Sequence, residues 1–173
     1  MKRFLRVLRF LAYPSTWLHA IRLFESAIHN QLEARKLIQR EGKAIIDATA
    51  SFRNPARITL GHGVFINFMC SVWAGPASRI TIGADTILGP YVHINSTNHV
   101  FARRDAPIIT QGYNQADIEI GRDVWIGAHS VVLAGSKIGD GAVIGANSVV
   151  RGEIPAHAIA VGSPARVIKD RPA

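Results

Sequence analysis

The chain has 173 residues, of which 48% are hydrophobic, and a formal net charge of +8. That length favours one domain with its own core over two domains. Cys70 is the only cysteine, which excludes an internal disulfide and makes a reducing compartment, the cytoplasm, the simplest expectation.

Residues 1–42 form a basic amphipathic segment. The first 40 residues hold eight basic and two acidic side chains, which gives six of the eight net positive charges. Apolar residues recur at helical spacing from Phe4 to Leu11 and again from Trp17 to Leu32, which predicts two helices separated by Pro14. Arg6 and Arg9 interrupt the first apolar run, which argues against a secretory signal or a membrane span.

Two roles stay open for this segment. It could cap the end of the fold that follows, or it could lie on an anionic membrane face as a peripheral contact. No nucleic-acid partner is expected, because the basic residues show no recognised binding motif and no interleaved aromatic residues.

From residue 43 onwards the dominant signal is an aliphatic residue at every sixth position. A period of six fits neither a helix nor an ordinary strand, but it fits the flat faces of a left-handed parallel β-helix. The repeat predicts an all-β solenoid of about five coils over residues 43–173, with small residues at the corners and a C-terminal tail after the last coil. The repeat positions are Leu60, Ile66, Val72, Ile82, Leu88, Ile94, Ile120, Ile126, Val132, Ile138, Ile144 and Val150, and seven of them precede a glycine.

The repeat breaks twice. Ten residues separate Val72 from Ile82, which predicts a bulge or small insertion around residues 74–78. Twenty-six residues separate Ile94 from Ile120, and the polar stretch between them contains Pro107 and Gly112. We expect a loop extruded at about residues 99–117, and a loop of that length in a repeat protein is usually functional or disordered.

His99 stands at the start of this loop, outside the inward-facing register. It could be an ordinary solvated histidine, or it could be a general base, since imidazole titrates near neutral pH.

The stretches INFMCSVW, HINSTNHVF, VWIG, IGANSVV and GSPAR together resemble the hexapeptide-repeat acyltransferases. The resemblance covers about residues 58–170. It is greatest for the sugar O-acetyltransferases of the galactoside, maltose and nodulation-factor group and for acetyltransferases of polysaccharide biosynthesis. It implies a homotrimer that binds acetyl-CoA in a cleft between neighbouring solenoids and uses no metal.

The same resemblance assigns roles to individual residues. His99 would be the general base that removes a proton from an acceptor hydroxyl, and Asn67 would hold the acceptor near it. Trp125 would form a wall of the cleft, and the backbone N–H groups of Gly127 and Ala128 would polarise the thioester oxygen. Further contacts to the CoA arm and phosphates would come from Ala146, Arg151, Gly152, Arg166 and Lys169. Asn67 and Trp125 also have purely structural interpretations, as a stacked corner residue and as an aromatic packed on an outer face.

The implied function is acetyl transfer from acetyl-CoA to a hydroxyl of a carbohydrate, which could be a polysaccharide, a glycolipid or a free sugar. One alternative is acetylation of a non-sugar small molecule such as an antibiotic. Others are a metal-dependent enzyme of the same fold, for which His93 and His99 lack a third ligand, and a non-catalytic scaffold. The expected location is the cytoplasm or the inner face of the membrane.

Overall fold

A computed structural model describes residues 13–28 and 32–172 of the chain. From residue 39 onwards the chain forms short strands that occupy successive coils. The strands are, in chain order, β1 (Gln39–Arg40), β2 (Ile45–Ile46) and β3 (Ser51–Arg53); β4 (Ile58–Leu60), β5 (Phe65–Ile66) and β6 (Ser71–Trp73); β7 (Ile80–Ile82), β8 (Ile87–Leu88) and β9 (His93–Asn95); the pair β10 (Thr97–His99) and β11 (Tyr113–Gln115); β12 (Ile118–Ile120), β13 (Trp125–Ile126) and β14 (Val131–Leu133); β15 (Lys137–Ile138), β16 (Val143–Ile144) and β17 (Val149–Val150); β18 (Glu153–Ile154) and β19 (Ala158–Val161); and β20 (Arg166–Asp170).

Strands of successive coils pair in parallel and build the three faces of a prism. Sheet A contains β1, β4, β7, β12, β15 and β18, sheet B contains β2, β5, β8, β13, β16 and β19, and sheet C contains β3, β6, β9, β14 and β17. In the described part of the chain, five coils are complete and a sixth contributes two strands. This confirms the predicted left-handed parallel β-helix.

The aliphatic residues of the six-residue repeat fill the axis of the prism. All of the repeat positions from Leu60 to Val150 are at most 3% exposed. In sheet B, Leu88 of the third coil is in register with Ile126 of the fourth, which in turn pairs with Ile144. The inward stack is therefore continuous across the 26-residue break in the repeat.

Corner glycines are needed because the coils approach each other closely. A Cβ atom on Gly127 would lie 2.5 Å from the backbone nitrogen of Ala146 in the next coil. The left-handed backbone conformation occurs two residues later, at His129, whose φ is 59°. The glycine that follows each inward residue thus reflects packing between coils rather than a backbone angle that only glycine adopts.

Both breaks in the repeat fall at the corner where sheet C leads into sheet A. In the first, residues 74–79 connect β6 to β7 without a strand. In the second, β10 and β11 form an antiparallel pair in which His99 lies opposite Tyr113. A short 3-10 helix at Ile108–Thr110 lies between these two strands. The extruded segment therefore has an ordered, paired base.

Within residues 13–28 and 32–42, the N-terminal segment contains two helices, α1 (Pro14–Ile28) and α2 (Ala34–Leu37). The helix predicted from Phe4 to Leu11 lies outside the described residues. Large apolar side chains of α1 are exposed, with Trp17 at 57% and Phe24 at 68%. Among the described residues, neither helix has the length and apolar content needed to cross a bilayer.

The residues around α2, rather than α1, cover the first coil. Ala34 and Ile38 are buried in the hydrophobic core. The Arg35 guanidinium donates hydrogen bonds to the carbonyls of Ile46 and Asp47 at 3.1 and 2.5 Å. Because β1 already pairs with β4, regular pairing starts at Gln39. The division of the chain into residues 1–42 and 43–173 stays a prediction.

The C-terminal tail folds back on the last coil. A turn after β19 sends β20 antiparallel along it, with Lys169 beside Ile159. Arg171 then forms an ion pair of 2.7 Å with Asp123. Sheet B therefore ends in this antiparallel strand rather than in β19. The sequence analysis predicted a tail here but not this strand.

Candidate active site

His99 is held on the paired strands that leave the solenoid. Its side chain is exposed, and its ring lies against that of Tyr113, with centroids 4.5 Å apart and an interplanar angle of 42°. The antiparallel register between β10 and β11 places the two residues opposite each other. The imidazole is thus supported on one side and open to a ligand on the other.

Polar contacts fix the base of these strands on the prism. The Asn95 side-chain oxygen accepts hydrogen bonds from the backbone N–H and hydroxyl of Thr97, at 3.1 and 2.9 Å. The Gln115 side-chain oxygen accepts the N–H of Ala77 at 2.8 Å, which ties β11 to the shorter insertion. The two breaks in the repeat therefore form one joined structure, which we call the C–A corner (residues 74–79, 96–117, 134–136 and 151–152).

Four of the other predicted site residues lie on the opposite edge of sheet C, where sheet B leads into it. We call this the B–C corner (residues 67–70, 89–92, 127–130 and 145–148). It contains Asn67, Gly127, Ala128 and Ala146, which parallel pairing of β5, β8, β13 and β16 brings to the same edge. The Asn67 side-chain oxygen accepts the N–H of Phe68 at 2.8 Å.

The two predicted backbone donors at this corner differ. The Gly127 N–H donates to the carbonyl of Ile144 at 2.7 Å, so it is already engaged in the sheet. The Ala128 N–H has no hydrogen-bond partner among the residues that the structure describes. A site for a developing negative charge would therefore use Ala128, and Gly127 would serve by its small size.

The B–C corner also carries an aromatic column that the sequence analysis missed. The rings of Tyr91 and His129 stack with centroids 4.6 Å apart, and Phe68 meets Tyr91 edge-on at 4.7 Å. Tyr91 and His129 both have φ near 59°, which is uncommon for large side chains. Met69 and Asn147 adopt the same conformation at the equivalent positions of their coils, with φ of 56° and 58°, so it belongs to the turn that each coil makes at this corner.

Trp125 lies on the outer face of sheet B, between Ile87 and Val143 of the adjacent coils. It is 54% exposed and forms part of a shallow depression of about 290 Å³. Its indole is thus available as a flat apolar wall, as the cleft interpretation requires. The same position agrees with the interpretation as an aromatic packed on an outer face.

The four residues predicted to contact the end of the CoA arm and its phosphates separate into two groups. Arg166 and Lys169 lie on β20, at the end of sheet B, and both are exposed. Arg151 and Gly152 follow β17 at the C–A corner, where Gly152 has a φ of 89°. Within a single chain the structure therefore does not bring all four to one phosphate group.

Cys70 is at the B–C corner but faces inward. It is 1% exposed, and its Sγ lies 3.1 Å from the carbonyl oxygen of Gly89. Burial raises the pKa of this thiol above its usual value. A buried, protonated thiol is a poor nucleophile, so the geometry gives no support to an acyl-enzyme on Cys70.

A cavity that the sequence analysis did not identify opens beside the extruded strands. It has a volume of about 190 Å³, and its walls include Arg53, Trp73, Asn95 and Tyr113. Tyr113 is also the residue that contacts His99, so the cavity and the imidazole share a wall. The larger depression on sheet A, about 760 Å³, is lined by none of the predicted site residues.

The alternation of inward and outward side chains along β3 and β6 could have indicated this cavity from the sequence. Arg53 and Trp73 follow the inward-facing Phe52 and Val72, so both should point outward. Their side chains meet across coils, with the Arg53 guanidinium carbon 4.1 Å from the Trp73 ring centre. The rings of His93 and Trp73 meet at an interplanar angle of 89°, with their centroids 4.9 Å apart. The pKa of His93 is lowered by burial and, secondarily, by the charge of Arg53.

Within the described ranges, no group of three His, Cys, Asp or Glu side chains is arranged to hold a metal ion. His93 lies in sheet C and His99 lies on the extruded pair of strands.

Among the known proteins that this chain resembles in sequence are three acetyltransferases. A probable acetyltransferase of Mycobacterium tuberculosis is 35% identical over 82% of this chain and 45% of its own length. A putative lipopolysaccharide biosynthesis O-acetyltransferase of Escherichia coli K12 is 38% identical over 52% of this chain and 50% of its own length. The galactoside O-acetyltransferase of Escherichia coli K12 is 30% identical over 85% of this chain and 73% of its own length. The chain thus spans about half the length of the first two.

Two solved structures share the fold. A hexapeptide-repeat acetyltransferase of Vibrio cholerae, crystallised with acetyl coenzyme A, has a TM-score of 0.76 and 23% identity over 94% of this chain and 92% of its own. A galactoside acetyltransferase in complex with coenzyme A has a TM-score of 0.66 and 25% identity, covering 84% and 82% of the two chains. The bacterial transferase hexapeptide (six repeats) profile matches residues 117–152. From these similarities, the inward stack and the corner glycines, we conclude that the chain belongs to the hexapeptide-repeat transferase family.

Proposed function

We propose that this protein is an acetyl-CoA-dependent O-acetyltransferase that acts on a carbohydrate hydroxyl as a homotrimer. The observation that carries the proposal is the separation of the candidate residues within one chain. His99 projects from the C–A corner, whereas Asn67 and Ala128 lie at the B–C corner, with sheet C between them. A complete site forms if the C–A corner of one protomer faces the B–C corner of the next, and three such contacts close a ring.

The chemistry needs one proton acceptor and fixed positions. His99 removes the proton of the acceptor hydroxyl while the oxygen attacks the thioester carbonyl of acetyl-CoA. The Ala128 N–H stabilises the negative charge that develops on the carbonyl oxygen. The C–S bond then breaks, and the imidazolium returns its proton to the leaving thiolate, so the products are the acetyl ester and free CoA.

Other residues would orient the donor. Trp125 offers an apolar wall for the pantetheine arm, and Ala146 continues the same edge towards β20. The exposed cations of Arg166 and Lys169 suit the phosphates of the nucleotide portion, where guanidinium can bind in bidentate fashion. Two relatives support the acceptor class, because one is named a galactoside O-acetyltransferase and the other a putative lipopolysaccharide biosynthesis O-acetyltransferase.

The shared site can be tested by mixing two inactive variants. His99→Ala should lose at least about 100-fold in turnover, and Trp125→Ala should lose donor positioning, while both variants keep wild-type unfolding temperatures because both side chains are exposed. Co-expressed chains should regain activity, since one of the three interfaces in a mixed trimer then combines an intact imidazole with an intact cleft. Up to about a third of the wild-type rate per mixed trimer is expected.

The control is each variant expressed alone, measured with acetyl-CoA against a panel of free sugars, nucleotide sugars and lipid-linked glycans. A mixture that is no more active than the better single variant would contradict the shared site. Turnover by His99→Ala at the wild-type rate would remove the general base.

We also propose that the N-terminal segment holds the enzyme at an anionic membrane face. Exposed apolar side chains on α1, together with the excess of basic residues in the first 40, are the composition of an interfacial helix. Phe24→Asp should reduce co-sedimentation with phosphatidylglycerol vesicles while leaving the trimer and acetyl transfer intact, because Phe24 is 68% exposed. Unchanged vesicle binding, or loss of the trimer, would contradict this role.

A further inference from the structure

We propose that Arg53 selects acceptors that carry an anionic group on or beside the sugar. This inference rests on the proposed acetyl transfer and adds a specificity determinant to it. Tyr113 lines the same cavity as Arg53, and its ring also contacts His99, so the cavity lies one residue away from the imidazole. A sugar held there would present a hydroxyl towards the imidazole and its charged substituent towards the guanidinium.

The Arg53 guanidinium is held in place, but its N–H donors have no acceptor among the described residues. It lies over Trp73 at 4.1 Å, in cation–π contact, and Trp73 is itself fixed by a hydrogen bond of 3.1 Å from its Nε1–H to the hydroxyl of Ser51. Among the described residues, the Arg53 guanidinium has no hydrogen bond or ion pair, whereas the backbone carbonyl of Arg53 is engaged by the N–H of Ala74. Some other arginines pair with a carboxylate, such as Arg103 with Asp105 and Arg122 with Asp140.

The cavity contains nothing that would neutralise this charge. None of the residues that line it is acidic, and its other polar groups are neutral. The Asn95 side-chain oxygen is taken by Thr97, and the Asn54 amide donates to the carbonyl of Ala74 at 2.7 Å. An unpaired guanidinium in a concave site with neutral walls favours a carboxylate or phosphate, which it can bind through two parallel N–H donors.

The size of the cavity limits the ligand. Its volume of about 190 Å³ is below the roughly 300–1,000 Å³ of pockets that enclose a drug-sized molecule. It therefore suits one sugar ring with its charged substituent rather than an oligosaccharide. A uronic acid and a sugar phosphate both meet this description, and the experiment separates them.

Binding is measured on the CoA-loaded, full-length trimer with three probes: methyl glucuronide, glucose 1-phosphate and methyl glucoside. The indole N–H resonance of Trp73, assigned with Trp73→Phe, reports ligand in the cavity. We expect the preferred anionic probe to bind at least about 10-fold more tightly than methyl glucoside, because a charge-assisted hydrogen bond contributes more than a neutral one. Preference for the glucuronide identifies a carboxylate acceptor, and preference for the phosphate identifies a phosphorylated one.

Arg53→Gln should remove the preference for the anionic probe without weakening the binding of methyl glucoside. Arg53→Lys should retain part of that preference. Arg79→Gln is the matched control, because Arg79 is exposed and outside the cavity. Equal binding of all three probes, absence of binding by any of them, or an unchanged preference in Arg53→Gln would overturn the proposal. CoA affinity is measured on the same samples, since its loss would count against acetyl transfer itself rather than against Arg53.

Discussion

The two edges of sheet C differ in how strictly they follow the six-residue repeat. At the B–C corner every coil turns in the same number of residues, so Gly127 and Ala128 lie directly beside Gly145 and Ala146. At the C–A corner two coils carry insertions, and these insertions support His99, Tyr113 and the cavity beside Arg53. The regular edge presents small residues at a fixed spacing, whereas the irregular edge presents side chains that project from the prism.

This difference has a functional consequence. The pantetheine arm of CoA is the same in every enzyme that uses CoA, so a regular edge lined with small residues is sufficient to hold it. Acceptors vary, and variation enters a repeat protein through insertions at one face, where they do not interrupt the inward stack. The donor side is therefore expected to be the conservative edge of the fold and the acceptor side the adaptable one.

The largest effect that distinguishes the two edges is on stability. Ile126→Ala removes a fully buried side chain from the continuous inward stack and should lower the free energy of unfolding by about 2–5 kcal/mol. The matched change Ile109→Ala, in the extruded segment where the side chain is 72% exposed, should stay within about 0.5 kcal/mol. Urea denaturation at fixed protein concentration measures both, since trimer formation makes stability depend on concentration.

A small loss for Ile126→Ala, or a loss of similar size for Ile109→Ala, would mean that the insertions are as much part of the core as the repeat. The comparison between the edges would then fail.

The same division explains how much the sequence could predict. The period of six was sufficient for the three faces and the inward residues, because both follow from a local rule repeated many times. The position of His99 at the end of the regular pattern was also readable, since an interruption of a repeat is visible as a change of spacing. The resemblance of the sequence around His99 to a known motif then implied the role of general base for this residue.

Contacts that depend on how an insertion folds could not be read in this way. The pairing of His99 with Tyr113 joins residues 14 apart through a polar stretch that has no periodic signal. The contact of Arg53 with Trp73 needs the register between coils, which is fixed only after the solenoid is assembled. The hydrogen bond from the Gly127 N–H to the carbonyl of Ile144 likewise follows from strand pairing and not from the sequence motif. The N–H groups of Gly127 and Ala128 therefore looked equivalent from the sequence alone.

A smaller effect should come from the support of the general base. Tyr113→Ala removes the ring that contacts His99 at 4.5 Å and leaves the imidazole free to adopt other rotamers. We expect kcat at saturating acceptor to fall up to about 10-fold, the upper range for an aromatic pair, while the KM for acetyl-CoA stays unchanged. Tyr113→Phe keeps the ring and should retain nearly the full rate.

The contrast between the two Tyr113 variants is informative because the side chain is 56% exposed, so neither change should alter the unfolding temperature greatly. A rate for Tyr113→Ala equal to that of Tyr113→Phe would show that the hairpin alone orients His99 and that the ring contact is incidental. A loss in both variants would instead assign the role to the phenolic hydroxyl, which could contact the acceptor from the cavity wall. Only a loss confined to the alanine variant identifies Tyr113 as the residue that positions the base, and it would place the control of both rate and acceptor charge on the irregular edge of the prism.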